Sequence, residues 1–157
     1  MENEEGKRNR RSIRAAYHNY GWSASYFITI QAKKREPLFD SPKLRTILMD
    51  TWQGLPSRFP GLSLDAFVIM PDHIHFIVHI RFNSHTATSL SRVVGAYKSL
   101  VAHHWMAHVA TVDTTKQALP VQIWHRNYYE RVIRDERELE AVRQYIRDNP
   151  LKLQEPS

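Results

Sequence analysis

Two histidines that share one side of a predicted strand are the residues of this chain best suited to chemistry. From Ile74 to Ile80 apolar residues occupy every second position, which is typical of a strand with one buried face. His73 and His75 fall on the other face, about 7 Å apart. Two imidazoles at this spacing suit one divalent metal ion, which would act as a Lewis acid on a phosphate.

A tyrosine and an amide near the C-terminus could complete such a site. The helical period of residues 135–148 predicts a final helix that ends before Pro150. Its apolar docking stripe consists of Leu139, Val142 and Ile146. Tyr145 lies beside that stripe, and Asn149 follows one turn later on the same side. We therefore expect this helix to present Tyr145 as a nucleophile and Asn149 as a third metal ligand.

Each of these residues also has a purely structural interpretation. Tyr145 could be a packed aromatic, and Asn149 could simply end the helix, because proline disfavours the α conformation at the residue before it. Asp72 is either a turn residue or a partner that orients a ligand histidine. His79 shares the histidine side but lies further along the strand, which favours a hydrogen-bonded or solvent-facing role.

The composition bounds the partners and the metal ligands. The chain has 157 residues, 42% of them hydrophobic and 24% charged, as in an ordinary single-domain protein. It contains no cysteine, so a metal would rely on His, carboxylate or amide ligands. No apolar run approaches the roughly 20 residues of a membrane span, and we expect a cytoplasmic protein. A net charge of +6 and a pI of about 9.7 favour nucleic acid as the partner.

The basic excess is concentrated before the first predicted strand. Residues 1–20 combine many cations with few apolar side chains, which predicts a flexible basic arm. A single domain is expected over residues 21–152 and a short tail over residues 153–157. The candidate DNA-binding residues of the arm are Arg10, Arg11 and Arg14.

The other periodicities predict four strands and three helices in the order β-α-β-β-α-β-α. The strands are expected at residues 26–31, 62–69, 73–80 and 124–133. The first helix is expected from the N-cap Ser41 to the breakers Gly54 and Pro56. A second follows over residues 89–109, and Asp135 caps the third.

This order predicts an α+β fold of the ferredoxin-like type, an antiparallel sheet with helices on one face. The histidine pair would point from the open face of the sheet. The extra C-terminal helix, which carries the tyrosine, would lie across that face.

Several segments of the chain, in order, resemble a known family. They are SYFITI at 25–30, LDAFVIMPDHIH at 64–75, VGAYKSL at 94–100, WHRNYYERVIR at 124–134 and YIRDNP at 145–150. Together they resemble the single-tyrosine HUH transposases of insertion sequences, and most closely the REP-associated tyrosine transposases. The resemblance covers residues 11–152.

This resemblance implies a nuclease that cleaves and rejoins single-stranded DNA through a covalent phosphotyrosine, with Mg²⁺ or Mn²⁺ as cofactor. The family's metal histidines match His73 and His75, and its nucleophile matches Tyr145. Its polar residue one turn after the tyrosine matches Asn149. The implied partner is hairpin DNA at element ends, and no membrane partner is expected. The sequence leaves two alternatives open, a monomer and a homodimer.

Further DNA contacts are expected along the aromatic and basic stretch 124–134, because single-strand binding combines backbone cations with rings that stack on bases. The candidates outside the arm are Lys98, Arg126, Arg131 and Arg134. Lys98 could equally be a solvated lysine, and Trp124 is more easily explained as a core residue.

Two other functions fit parts of the pattern. A non-catalytic or domesticated module that binds single-stranded nucleic acid would keep the fold and the charge, but it has no need of the histidines and the tyrosine. A metal hydrolase of small substrates would need more acidic ligands, and it would remain active after Tyr145→Phe because water would be its nucleophile.

Overall fold

The part of the chain that the structure describes forms four strands and three α-helices. This structure is a computed structural model, which describes residues 23–82, 88–112, 115 and 118–154. The strands are β1 (Ala24–Ala32), β2 (Leu62–Ile69), β3 (His73–Ile80) and β4 (Trp124–Val132). The helices are α1 (Pro42–Arg58), α2 (Leu90–Val109) and α3 (Glu136–Gln154), and the 3₁₀ turns Lys33–Arg35 and Leu38–Asp40 join β1 to α1. The predicted arm, with Arg10, Arg11 and Arg14, lies outside the described residues.

The strands form one antiparallel sheet in the order β2-β3-β1-β4. The histidine strand β3 and strand β1 are therefore central, and β2 and β4 are the edges. This is the strand order of the ferredoxin-like fold, so the predicted α+β class is confirmed.

Helices α1 and α2 cover one face of the sheet. The alternate residues of β3 that were predicted to face the core are fully buried there: Ile74, Phe76, Val78 and Ile80. Burying one such side chain contributes about 1.5–3 kcal/mol. The two helices are also tied by a polar contact, because the buried Tyr97 hydroxyl donates to the Leu48 carbonyl at 3.0 Å.

Helix α3 covers the opposite face through a second, smaller apolar cluster. Its members are Val68, Met70, Ile77, Ile133, Leu139, Val142 and Ile146. The last three are the predicted docking stripe of α3, and each is at most 7% exposed. The predicted position of the tyrosine helix across the histidine face of the sheet is thus confirmed.

Side-chain caps fix where the helices begin. Ser41 Oγ accepts from the Leu44 N–H at the start of α1, and Ser89 Oγ accepts from the Arg92 N–H at the start of α2, where the sequence predicts that helix to begin. Before α3, Asp135 Oδ1 accepts from the Glu138 N–H at 2.7 Å, as the sequence predicts.

The predicted ends of two helices are wrong. Helix α1 continues through Gly54 and Pro56 to Arg58, and α3 continues through Pro150 to Gln154. A proline inside a helix removes one hydrogen bond and strains the preceding turn, but apolar packing of the earlier residues holds both helices in place here. The correction matters at Asn149, which lies inside α3 and not at its end.

Among the described residues, no helix is both long enough and apolar enough to cross a membrane.

Candidate active site

The two histidines lie side by side at the start of β3. In the ladder between β1 and β3, His73 pairs with Gln31 and His75 pairs with Thr29. The imidazole centroids are 4.6 Å apart, with an angle of 76° between the rings. The His73 side chain is 21% exposed, whereas His75 is buried. The pair therefore spans the boundary between solvent and the interior under α3.

Asp72 orients the His73 ring. Its Oδ1 lies 2.6 Å from His73 Nδ1, and its Oδ2 lies 3.4 Å from Arg35 Nε. Burial alone would raise the pKa of the Asp72 carboxyl, but the hydrogen bond from His73 and the nearby cations outweigh it and lower that pKa. Because an ionised carboxylate only accepts, His73 donates from Nδ1 and its Nε2 carries the lone pair. Of the two roles predicted for Asp72, the geometry supports that of an orienting partner.

His75 is held neutral by its surroundings. Burial, and then the charge of His73, lower the pKa of His75 to about 4. Its Nδ1 lies 2.8 Å from the Thr29 hydroxyl. Its Nε2 is buried and has no hydrogen-bond partner among the residues that the structure describes. An unsatisfied buried polar atom costs about 1–3 kcal/mol, so this nitrogen is an available ligand atom that the fold has not used.

The Tyr145 ring faces the histidine pair from α3. Its centroid lies 5.5 Å from that of His75, with the two rings at 66°. Phe27 contacts both rings: it stacks on His75 at 5.2 Å and meets Tyr145 edge-on at 6.1 Å. Tyr145 is nevertheless 45% exposed, so a substrate can reach it. The sequence analysis did not identify Phe27, which contacts both of these rings.

Asn149 is the second residue near α3 with an unused polar atom. It is 8% exposed, and its Nδ2 is buried with no hydrogen-bond partner in the described part of the chain. A half-turn of the amide about its terminal bond would bring the side-chain oxygen to that buried position. An acceptor there would suit a cation better than a donor nitrogen.

The donor types of these side chains, two imidazoles and one amide, suit a divalent cation. The described residues hold no cluster of three or more His, Cys, Asp or Glu suited to a metal. A cation would therefore depend on the two imidazoles and an amide oxygen, and the unused Nε2 of His75 agrees with such a role.

Two residues expected near β4 have clear structural partners. Lys98 Nζ donates to the His125 carbonyl at 2.9 Å and to the Arg126 carbonyl at 3.4 Å. Burial lowers the pKa of this ammonium group. Trp124 Nε1 in turn donates to the Lys98 carbonyl at 3.0 Å, and its indole packs against the core, as predicted. Lys98 thus links α2 to β4, and a DNA contact would have to use the one N–H of its ammonium group that these two carbonyls leave.

The three arginines of the stretch 124–134 that are predicted to bind DNA are exposed, but only two of them are without an ion pair in the described structure. Arg131 forms an ion pair of 2.7 Å with Glu138 at the start of α3, whereas Arg126 and Arg134 have none there. The register places Tyr129 opposite Thr29, which is itself opposite His75. An exposed aromatic ring therefore lies on the same face as the histidine pair.

A buried polar chain next to the site was missed by the sequence reasoning. His79 is fully buried, and its Nε2 lies 2.7 Å from Asp65 while its Nδ1 meets the Ser25 hydroxyl at 2.5 Å. Arg143 of α3 also donates to both carboxylate oxygens of Asp65, through its Nε and Nη2. The predicted hydrogen-bonded role of His79 is therefore correct, and the solvent-facing alternative is wrong. No local pattern reveals Asp65 or Arg143, which are far apart in the chain.

A histidine pair on a central antiparallel strand, faced by a tyrosine from the last helix, defines the class of single-tyrosine transposases. The family described as "Transposase IS200 like" matches residues 20–149. An uncharacterised protein of Haemophilus influenzae is 32% identical over 168 residues, which cover 93% of this chain and 91% of that protein. The chain belongs to the IS200-like transposase family.

Two solved structures share the fold. One is a REP-associated tyrosine transposase bound to a REP hairpin, with a TM-score of 0.63 and 19% identity, over 83% of this chain and 68% of that one. The other is a transposase-like protein of Deinococcus radiodurans, with a TM-score of 0.54 and 18% identity, over 80% of this chain and 91% of that one. At these identities the likeness concerns the fold alone.

Proposed function

We propose that this transposase cleaves and rejoins single-stranded DNA through a covalent ester on Tyr145. The observation that carries the proposal is the approach of the Tyr145 ring to the His75 ring, 5.5 Å between centroids, on one face of the sheet. A nucleophile and a candidate metal site so close together are what phosphodiester transfer requires.

In the proposed reaction, Tyr145 Oη attacks the scissile phosphorus and loses its proton to the surrounding water. The bond from phosphorus to the leaving oxygen of one DNA end breaks, that oxygen takes up a proton and becomes a hydroxyl, and the other end stays on the protein as a phosphotyrosine ester. This ester conserves the energy of the original bond. A hydroxyl of another DNA end can then reverse the step and release the tyrosine, which joins strands without ATP.

We further propose that Mg²⁺ or Mn²⁺ binds through Nε2 of His73, Nε2 of His75 and the side-chain oxygen of Asn149. Such a cation would supply Lewis-acid polarisation of the scissile phosphate. In each histidine the other ring nitrogen, Nδ1, already has a hydrogen-bond partner in this chain. Asp72 holds the His73 ring with Nε2 free, and Thr29 holds Nδ1 of His75. Both contacts support the assignment, because ligating histidines normally carry such a partner on the second nitrogen.

The proposed substrate is hairpin DNA with an adjoining single strand. The solved relative bound to a REP hairpin supports this substrate class. The net charge of +6 favours a polyanion. Arg126 and Arg134 are the best candidate backbone contacts within the described residues, because Lys98 and Arg131 already have protein partners. The arm residues Arg10, Arg11 and Arg14 stay as predicted contacts.

We also propose that one chain completes its own active site. Tyr145 contacts the His75 and Phe27 rings of the same chain, which supports attack in cis. A homodimer stays a prediction that this arrangement does not require, and so does the cytoplasmic location.

The experiment is cleavage of an end-labelled hairpin with a single-stranded flank, incubated with Mn²⁺ and separated on a denaturing gel. Wild-type protein is expected to give a slow-moving protein–DNA band. Tyr145→Phe should abolish this band and still bind the hairpin, because only the hydroxyl is lost. Tyr129→Phe is the matched control, since it removes an exposed hydroxyl from the same face of the sheet.

The second candidate function is the non-catalytic binding module. This function would be favoured over strand cleavage if hairpins from the source genome bound the protein but none gave a covalent band. A band that persisted in Tyr145→Phe would instead reject Tyr145 as the nucleophile.

A further inference from the structure

Four side chains from four elements form one continuous polar chain beneath the tyrosine helix. Ser25 of β1 meets His79 Nδ1 at 2.5 Å, and His79 Nε2 lies 2.7 Å from Asp65 Oδ2 of β2. Asp65 is joined to Arg143 of α3 by Nε–Oδ1 and Nη2–Oδ2 contacts of 2.9 and 2.6 Å. Ser25 and His79 are both completely buried.

This chain is not a hydrolytic triad, although it contains serine, histidine and aspartate. Ser25 has no exposed surface, so no substrate can reach its hydroxyl. Because the Asp65 carboxylate only accepts, His79 donates to it from Nε2. In the neutral imidazole, Nδ1 then accepts from the Ser25 hydroxyl. These bonds hold the Asp65 side chain in place. Any effect of the four residues on the site is therefore exerted where Asp65 meets Arg143 of α3.

The outer end is a rigid contact to α3. Burial would raise the pKa of the Asp65 carboxyl, but hydrogen bonds from His79 and Arg143 lower it far below its usual value. Asp65 is therefore a permanent anion, and its side chain is only 12% exposed. A two-point contact between a guanidinium and a carboxylate fixes direction as well as distance.

The apolar docking of α3 lacks that directionality. Leu139, Val142 and Ile146 hold the helix against the sheet, but apolar burial depends on area and not on orientation. With 3.6 residues per turn, Arg143 and Tyr145 lie about 200° apart around the axis, on opposite flanks of this stripe. A rotation that releases Arg143 on one flank therefore moves Tyr145 on the other.

The size of this movement is enough to matter for chemistry. The Tyr145 hydroxyl lies roughly 9 Å from the helix axis, where a rotation of about 10° displaces it by about 1.5 Å. A displacement of about 1 Å in a reacting group can cost about 100-fold in rate.

We propose that the Asp65–Arg143 pair, supported by His79 and Ser25, is a positioning clamp that sets the rotation of α3 and so directs Tyr145 at the scissile phosphate. The inference rests on the proposed function, because it names what places the nucleophile of that reaction. All four are positioning residues, because the proposed role of each is to hold α3 and not to touch the substrate.

The first test is the single-turnover rate of covalent product formation with saturating hairpin and Mn²⁺, well below the melting temperature. Arg143→Gln is expected to lower this rate about 10- to 100-fold and to leave the hairpin Kd within about threefold. Arg143→Lys keeps the positive charge but loses the two-point guanidinium contact, so its rate should lie between those of wild type and Arg143→Gln.

Val142→Ala is the matched control. Val142 is 7% exposed in the same helix, so its truncation lowers the melting temperature and leaves the clamp intact. Its rate is expected to stay within a few-fold of wild type. If both variants lost rate in proportion to their loss of melting temperature, or if Arg143→Gln kept the wild-type rate, the clamp would be rejected.

A second measurement needs no activity. With 3-fluorotyrosine at position 145, the ¹⁹F resonance should shift or broaden in Arg143→Gln and stay unchanged in Val142→Ala. If wild-type protein formed no covalent product while the resonance still moved, the proposed function would fail and the clamp would stand. An unmoved resonance in Arg143→Gln would reject the clamp even if cleavage were normal.

Discussion

Acid is expected to destabilise this fold through His75, and the size of the effect follows from its burial. The pKa of His75 is about 4 in the folded chain, against 6.5 for the free side chain. Between these two values the unfolded chain binds more protons than the folded chain. The free energy of unfolding therefore decreases as the pH falls from about 6.5 toward 4.

The contribution at pH 5 comes to at most about 2 kcal/mol, because one pKa unit corresponds to about 1.4 kcal/mol and the transition is incomplete at that pH. His75 is 5% exposed, so solvent screens this effect only weakly. Such a loss is a large share of the stability of an ordinary domain, which is about 5–15 kcal/mol.

The assay is urea denaturation at pH 7 and pH 5, with wild type compared against His75→Asn. Asparagine keeps a group that can bond to the Thr29 hydroxyl but does not titrate. All other acidic and basic groups are common to both proteins, including the neighbours Asp72 and His73. The difference between the two pH dependences therefore isolates His75.

Equal losses of stability between pH 7 and pH 5 in both proteins would show that burial does not lower the pKa of His75. The predicted result, a smaller loss in His75→Asn, would mean that His75 is neutral at physiological pH because it is buried. A neutral imidazole is the form that binds a metal.

Three further predictions concern the metal, the tyrosine helix and DNA binding. Asp72→Ala should weaken Mn²⁺ binding about 10- to 100-fold in calorimetry, because His73 loses its orienting partner; equal affinities would contradict this. Leu139→Ala should lower the free energy of unfolding by about 2–4 kcal/mol in urea, because the side chain is 4% exposed under α3; a loss below about 1 kcal/mol would show that the helix is loosely docked. Arg126→Ala should reduce the salt dependence of hairpin binding by about 0.7 in the log–log slope. Lys98→Ala should leave that slope unchanged and lower stability instead, because its ammonium group already bonds to carbonyls; the reverse pattern would restore Lys98 as a DNA contact.

The central part of this structure could be predicted because it depends on local periodicity. The alternation of β3 identifies which residues face the core, and it places His73 and His75 together on the other face. The β-α-β-β-α-β order then leaves few topologies, and the apolar stripe of α3 requires a partner. Those three constraints are enough to bring Tyr145 near the histidines.

The remaining features depend on contacts between distant residues. Asp65 and Arg143 are 78 positions apart, and no local pattern pairs them. Lys98 looks like a surface cation in the sequence, yet carbonyls of β4 meet its ammonium group. Pro150 normally ends a helix, but here the cost falls in the last turn of α3, whose earlier residues are held by packing.

The most direct test of covalent catalysis by Tyr145 is to identify the residue to which the cleaved DNA becomes attached. Wild-type protein is incubated with a cleavable hairpin and Mn²⁺, digested with protease and nuclease, and its modified peptide is sequenced by mass spectrometry. A phosphotyrosine-linked nucleotide is expected on Tyr145 and on no other tyrosine. Modification of Tyr129 instead, or cleaved DNA with no nucleotide left on the protein, would contradict it.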